Sequence, residues 1–311
     1  MTDRSPTLTR RRLLQHSLAL AGASVLPPSG WADSVPEVRT RAIPSSGEAM
    51  PIVGLGTWIT FNVGNDTTLL NESAAVMAAF FEAGGRMIDS SPMYGSSQNT
   101  LGFGLNKLGE STPVFSADKV WTSNANNGAS QIETSEQRWG VPRFDLLQVH
   151  NLVNWESHLR LLRQMKAAGK VRYIGITTSE SRRHAEFENI MHGQPLDFIQ
   201  VSYNILNRDS ENRILPLAMD KGIAVIANRP FQQKQLIHQL EGKPLPAWAR
   251  EFDATNWAQF LLKYVISHPA ITCTIPATTR VDHMRENMAC AAGPLPDSKQ
   301  RERMAAYVRD L

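Results

Sequence analysis

From Arg86 onward the sequence repeats one unit: a short apolar run, a turn, then an amphipathic stretch. The runs begin near Arg86, Pro113, Phe144, Val171, Leu196 and Gly222, about 25–31 residues apart, the period of successive strand-helix units. A further run at 270–276 follows a longer insert, and residues 52–56 supply a first strand ahead of the series. Helical periodicity fills the gaps at 71–83, 98–108, 129–139, 156–168, 181–191, 211–220, 255–267 and 281–291. Strands that alternate with helices and are apolar almost throughout form a parallel sheet covered on both faces. Eight such units predict a closed (β/α)8 TIM barrel. No GxGxxG follows a strand, which argues against an open dinucleotide-binding sheet. Ahead of the first strand, 39–43 and 50–53 flank the turn Pro44-Ser45-Ser46-Gly47-Glu48 and read as an N-terminal β-hairpin.

Charge separates the first residues from the rest. Of 32 basic and 29 acidic residues, Arg4, Arg10, Arg11, Arg12 and Asp3 lie before residue 33, which leaves 28 of each beyond. The balanced remainder gives no basic surface for nucleic acid. Residues 1–32 read as a signal peptide of the twin-arginine type. Arg10-Arg11-Arg12 precede a weakly apolar run too short to span a bilayer, ended by Pro27-Pro28. The expected partner is the twin-arginine export machinery, and the expected location periplasmic or otherwise exported, with no stable membrane association after cleavage. Residues 33–311 show no compositional break and are expected to form a single barrel domain. Cys273 and Cys290 stand alone, with no CxxC or HExxH spacing, so neither a disulfide framework nor a metal site is expected.

Chemistry concentrates where the early strands end. Asp89 closes the second barrel strand, Lys119 the third and His150 the fourth, while Tyr94 sits in the loop after Asp89. In a (β/α)8 barrel these positions share one rim. A phenol is a weak acid, with an unperturbed pKa of about 10, and needs a cation nearby to work as a proton donor. Lys119 offers that cation, at the end of the next apolar run, and His150 an imidazole at the end of the run after it.

These residues resemble the aldo/keto reductase family. The resemblance runs over about residues 38–292, through GLGTW, MIDSSPMYGSS, VFSADKVWT, FDLLQVHN, GKVRYIGIT, DFIQVSYN, NRPF and IPATTRVDHMREN. It implies an NAD(P)H-dependent oxidoreductase that reduces aldehydes or ketones, with Tyr94, Lys119, Asp89 and His150 catalytic. It implies cofactor contacts from Gln200, Thr177, Asn228, Arg229, Thr278, Arg280, Glu286 and Asn287. The chain departs from the family in four places. Thr177-Thr178 replaces a Ser-Asn pair, and Asn228 stands where the family stacks an aromatic ring on the nicotinamide. Ala277 and His283 occupy the positions of the Lys and Arg that usually hold a 2′-phosphate. Arg280 can substitute as the phosphate clamp, which favours NADP(H) over NAD(H). A short segment after His150 and a short C-terminal extension leave the mouth open to varied small-molecule carbonyls, with Trp58, Trp121 and Trp155 expected to line it. The alternative from another class is a cofactor-binding sensor or regulatory barrel with little turnover. A lyase or epimerase using Tyr94 and His150 is a third.

Overall fold

The computed structural model describes residues 38–311, so the leader expected over residues 1–32 lies outside the described residues. β1 (Thr40–Ala42) and β2 (Ala49–Pro51) pair antiparallel with Arg41 opposite Met50, which is the expected hairpin. β3 (Leu55–Gly56), α1 (Thr67–Glu82), β4 (Met87–Asp89) and α2 (Ser97–Leu108) open the barrel. β5 (Phe115–Val120), α3 (Gly128–Trp139), β6 (Phe144–Val149) and α4 (Trp155–Ala167) follow. Next come β7 (Val171–Thr178), α5 (His184–Gly193), β8 (Phe198–Ser202), α6 (Ile214–Lys221) and β9 (Ala224–Asn228). The chain ends with α7 (Gln235–Leu240), α8 (Trp257–Ile266), β10 (Cys273–Thr274), α9 (Val281–Ala289) and α10 (Ser298–Asp310).

Strands β3 to β10 lie in sequence order, each parallel to the next. The ring closes between its first and last strands. Thr274 N donates to Ile52 O at 3.0 Å, Gly54 N to Thr274 O at 2.8 Å and Gly56 N to Pro276 O at 3.0 Å. That seam explains the GLG motif. A Cβ on Gly54 would lie 2.8 Å from Met87 O, and one on Gly56 would lie 2.6 Å from Ile275 O. Only glycine lets the backbones approach so closely.

Side chains alternate along each strand. Met87, Phe115, Ala117, Leu146, Tyr173, Phe198, Ile226 and Cys273 fill the barrel, and Ile43 and Met50 of the hairpin join them from below. The opposite residues, among them Ile88, Val120, Leu147, Ile174, Ile199 and Val225, pack against the helices. The hairpin is also clamped by charge: Glu48 pairs with Arg86 at 3.1 Å and with Arg172, and accepts from Tyr173 Oη at 2.9 Å.

The helices depart from expectation mainly at their ends. α1 starts at Thr67, earlier than residue 71, because the Asp66 carboxylate caps Thr68 N at 2.9 Å and Leu69 N at 3.0 Å. α7 and α10 were not expected from periodicity. α10 begins on a capping box in which Asp297 and Gln300 exchange hydrogen bonds, a D-x-x-Q signal that is visible in the sequence.

Candidate active site

The alternation that fills the barrel also builds its mouth. Counting by twos from Met87, Ala117 and Leu146 reaches Asp89, Lys119, Gln148 and His150, so all four point inward above the apolar layer. Lys119 is fully enclosed, and its Nζ lies 2.6 Å from Asp89 Oδ1 and 2.6 Å from Ser90 O. The other carboxylate oxygen, Asp89 Oδ2, accepts from Gln200 Nε2 at 2.9 Å and from Gln148 Nε2 at 3.4 Å. Thr57 Oγ1 donates to Asp89 O at 2.9 Å. The ammonium sits 5.0 Å from the centre of the half-buried Tyr94 ring.

The electrostatics of the group follow from burial and from this pairing. Burial works against the Lys119 ammonium, but Asp89 and Tyr94 outweigh it and hold its pKa above the ordinary lysine value. Burial also raises the Tyr94 phenol, and Lys119 offsets only part of that rise. The lysine therefore acts in the expected sense without bringing the phenol below its usual range, and Tyr94 keeps its proton at neutral pH. His150 is driven down to about 2 by burial and by the neighbouring Lys119 charge, so its imidazole is neutral.

Which nitrogen of His150 carries the proton is set by Ser91. Ser91 Oγ lies 2.8 Å from His150 Nδ1 and already accepts from Met93 N at 3.2 Å. The buried hydroxyl has no other acceptor for its hydrogen among the described residues, so it donates to Nδ1, which places the imidazole proton on Nε2. The ring meets Tyr94 edge to face at 5.7 Å. Tyr94, His150 and Asp89 line one cavity of about 310 Å3, together with Trp58, Met93, Thr177, Gln200, Asn228, Arg229, Phe231 and Ala277.

The wall opposite Tyr94 is a ladder of side chains. Ser202 Oγ donates to Asn228 Oδ1 at 2.8 Å, Asn228 Nδ2 to Gln200 Oε1 at 3.2 Å, and Gln200 Nε2 to Asp89. Thr177 faces the same cavity, while Thr178 turns away to bond Glu180 N at 3.2 Å. Arg229, at φ +53°, lies across the mouth with its guanidinium 6.0 Å from the Trp58 ring. Thr177, Gln200, Asn228 and Arg229 thus meet at one cavity.

The remaining candidates stand outside the cavity. Thr278 Oγ1 accepts from Arg280 N at 3.1 Å, and the exposed Arg280 guanidinium is occupied by Asp282 through two bonds, Nε to Oδ1 at 2.9 Å and a second to Oδ2. Asn287 is buried and Glu286 half-buried on α9. Of the tryptophans, Trp58 lines the cavity. Trp121 is outside its lining, with its ring 6.5 Å from His150. Trp155 packs against the hydrophobic core at the start of α4, so it is not a lining residue. Ser91, Gln148 and Ser202 were not anticipated. Gln148 was within reach of the sequence, being two residues before His150 and so on the same face of its strand.

Comparisons with known proteins agree on one family. A profile of the Aldo/keto reductase family matches residues 52–306. The chain is 26% identical over 259 residues to the Escherichia coli methylglyoxal reductase YeaE, covering 81% of this chain and 89% of that one. It is 25% identical over 299 residues to an E. coli NADH-specific methylglyoxal reductase, covering 82% and 89%. A crystal structure of a Klebsiella pneumoniae aldo/keto reductase in complex with NADP and acetate superposes with a TM-score of 0.73 at 21% identity, over 87% of this chain and 96% of the other.

Proposed function

We propose that this chain, which belongs to the aldo/keto reductase family, reduces aldehydes or ketones to alcohols with NAD(P)H, Tyr94 giving the proton. The observation that carries this is the buried Lys119–Asp89 pair at 2.6 Å, set under Tyr94 and beside a neutral His150 on one cavity. The cavity also suits a nicotinamide. Its polar wall of Thr177, Gln200 and Asn228 offers amide and hydroxyl groups to a carboxamide, and Arg229 adds charge at the rim for a pyrophosphate. A dinucleotide held there would supply the hydride.

The protein's own groups handle the oxygen of the carbonyl. His150 Nε2–H donates to it and orients it. Tyr94 transfers its proton as negative charge develops, and the adjacent ammonium stabilises the phenolate left behind. Asp89 keeps that ammonium in place, and Gln200 and Gln148 hold Asp89. Asn228 offers hydrogen-bonding groups where the family offers an aromatic face, so it would hold a nicotinamide by polar contact in place of stacking.

Arg280, next to Thr278, supports a preference for NADP(H) over NAD(H), provided the guanidinium exchanges Asp282 for phosphate. Arg10-Arg11-Arg12 support export of the folded barrel, residues 33–311, through the twin-arginine route. The test is direct. Residues 33–311 are purified and NADPH and NADH consumption followed with aldehydes and ketones, methylglyoxal first, beside Tyr94→Phe. The variant is expected to lose roughly 10²–10⁴-fold in turnover while still binding dinucleotide. Equal turnover in both proteins would remove Tyr94 from the chemistry.

A further inference from the structure

One buried carboxylate beside the site has no part in the chemistry above. Asp118 points outward from β5, away from the cavity, and none of its surface reaches solvent. Three donors meet it, all neutral: Lys119 N at 2.6 Å on Oδ1, and Trp139 Nε1 at 2.6 Å and Gln98 Nε2 at 3.0 Å on Oδ2. Burying a carboxylate among neutral partners is costly, and a neutral acceptor would serve packing alone.

Its position suggests what offsets the cost. Asp118 precedes Lys119, and its carboxylate holds that residue's backbone N–H. Gln98 lies in the first turn of α2, four residues after Tyr94, so the same carboxylate grips the helix that follows the tyrosine's loop. Two further bonds join these segments: Ser90 N to Ala117 O at 2.9 Å and Ser90 Oγ to Ser97 Oγ at 3.0 Å. The lysine is thus flanked by Asp89 inside the barrel and by Asp118 outside it.

We propose that Asp118 is a positioning residue for the reduction, fixing Lys119 against Tyr94 through its backbone and Gln98 contacts and helping to keep the proton on Tyr94. This rests on Tyr94 being the acid. Burial raises the Asp118 carboxyl to about 6, with Lys119 its strongest opposing influence, so it is charged at pH 7 and above. In that form it raises both the Lys119 ammonium and the Tyr94 phenol. Arg138 on α3 reaches the same cluster by bonding Gln98 Oε1 at 3.1 Å, while Lys119, Asp89 and the neutral His150 face Tyr94 from inside the barrel.

The experiment is the pH dependence of kcat for carbonyl reduction in the wild type, Asp118→Asn and Tyr94→Phe. Removing the negative charge lowers the phenol, so the alkaline limb in Asp118→Asn is expected at lower pH than in the wild type. A packing role alone would change thermal stability and leave the limb in place. An unmoved limb overturns the proposal whatever happens to kcat. Asparagine cannot accept from all three donors, so a second variant guards against misfolding. Gln98→Met keeps the charge and cuts the link to α2; kcat should fall about tenfold with the KM for the carbonyl unchanged. If Asp118→Asn does not fold, wild-type kcat in Gln98→Met overturns the proposal. Turnover surviving in Tyr94→Phe would instead sink the assignment of the acid.

Discussion

At the scale of single residues the site depends on where a few protons sit. His150 helps only if its hydrogen faces the cavity, and the bond from Ser91 Oγ to Nδ1 at 2.8 Å puts it there. Ser91→Ala removes that preference and admits the other tautomer. One neutral hydrogen bond is worth about 1 kcal/mol, so kcat/KM should fall about five- to tenfold, measured at pH 7 with any carbonyl the protein turns over. The neutral imidazole also affects stability. His150 titrates at about 2 in the fold and near 6.5 once unfolded. Its contribution is therefore whole above about pH 6.5 and is lost as pH falls toward 2, because only the unfolded chain takes up the proton. Urea titrations at pH 5 and 7.5 should show wild type losing more stability on acidification than His150→Gln. Equal losses would mean the imidazole is protonated in the fold. Asp89, Lys119 and His150 were legible in the sequence because each ends an apolar run and ideal alternation carries it to the mouth. Ser91 and Ser202 were not, since their partners come from distant segments that no local pattern ties to them.

At the scale of elements the barrel divides its labour between its two ends. The hairpin closes the lower end by inserting Ile43 and Met50 beneath Phe115, Tyr173 and Phe198, and the chemistry lies at the upper end. Met50→Ala would leave a cavity in a sealed layer and should cost about 2–5 kcal/mol, read as a lower denaturant midpoint. The KM and kcat of the surviving folded protein should stay at wild-type values, whereas a changed kcat would show that the plug and the mouth are coupled. Strand positions were legible because buried parallel strands are short apolar runs between turn residues. The loop before α7 was harder. Arg229, Gln232, Gln233 and Lys234 all have positive φ without a glycine among them, so nothing in the sequence marks the turns they make. Such conformations cost free energy in non-glycine residues and gather at binding sites, and Arg229, Gln233 and Lys234 indeed line the cavity.

At the scale of the whole molecule the open question is how one chain grips a ligand longer than its cavity. Thr177, Gln200 and Asn228 are gathered at the mouth, but Thr278 and Arg280 stand apart at the turn into α9, and Glu286 and Asn287 on α9 itself. A dinucleotide bridging both places would tie β10 and α9 to the catalytic strands and stabilise the fold by mass action, about 2.7 kcal/mol at a hundredfold excess over Kd. Thermal unfolding of residues 33–311 with NADP+ or NAD+ measures this without turnover, so it can also be done on Tyr94→Phe. Both dinucleotides should raise Tm, NADP+ more than NAD+. Arg280→Ala should remove the difference and leave the NAD+ shift unchanged. Asp282→Asn should widen it, because the Arg280 guanidinium would no longer be held by a carboxylate that also repels phosphate. If NAD+ gives the larger shift in the wild type, Asp282 holds Arg280 too firmly for a phosphate to displace it, and the preference for NADP(H) is reversed.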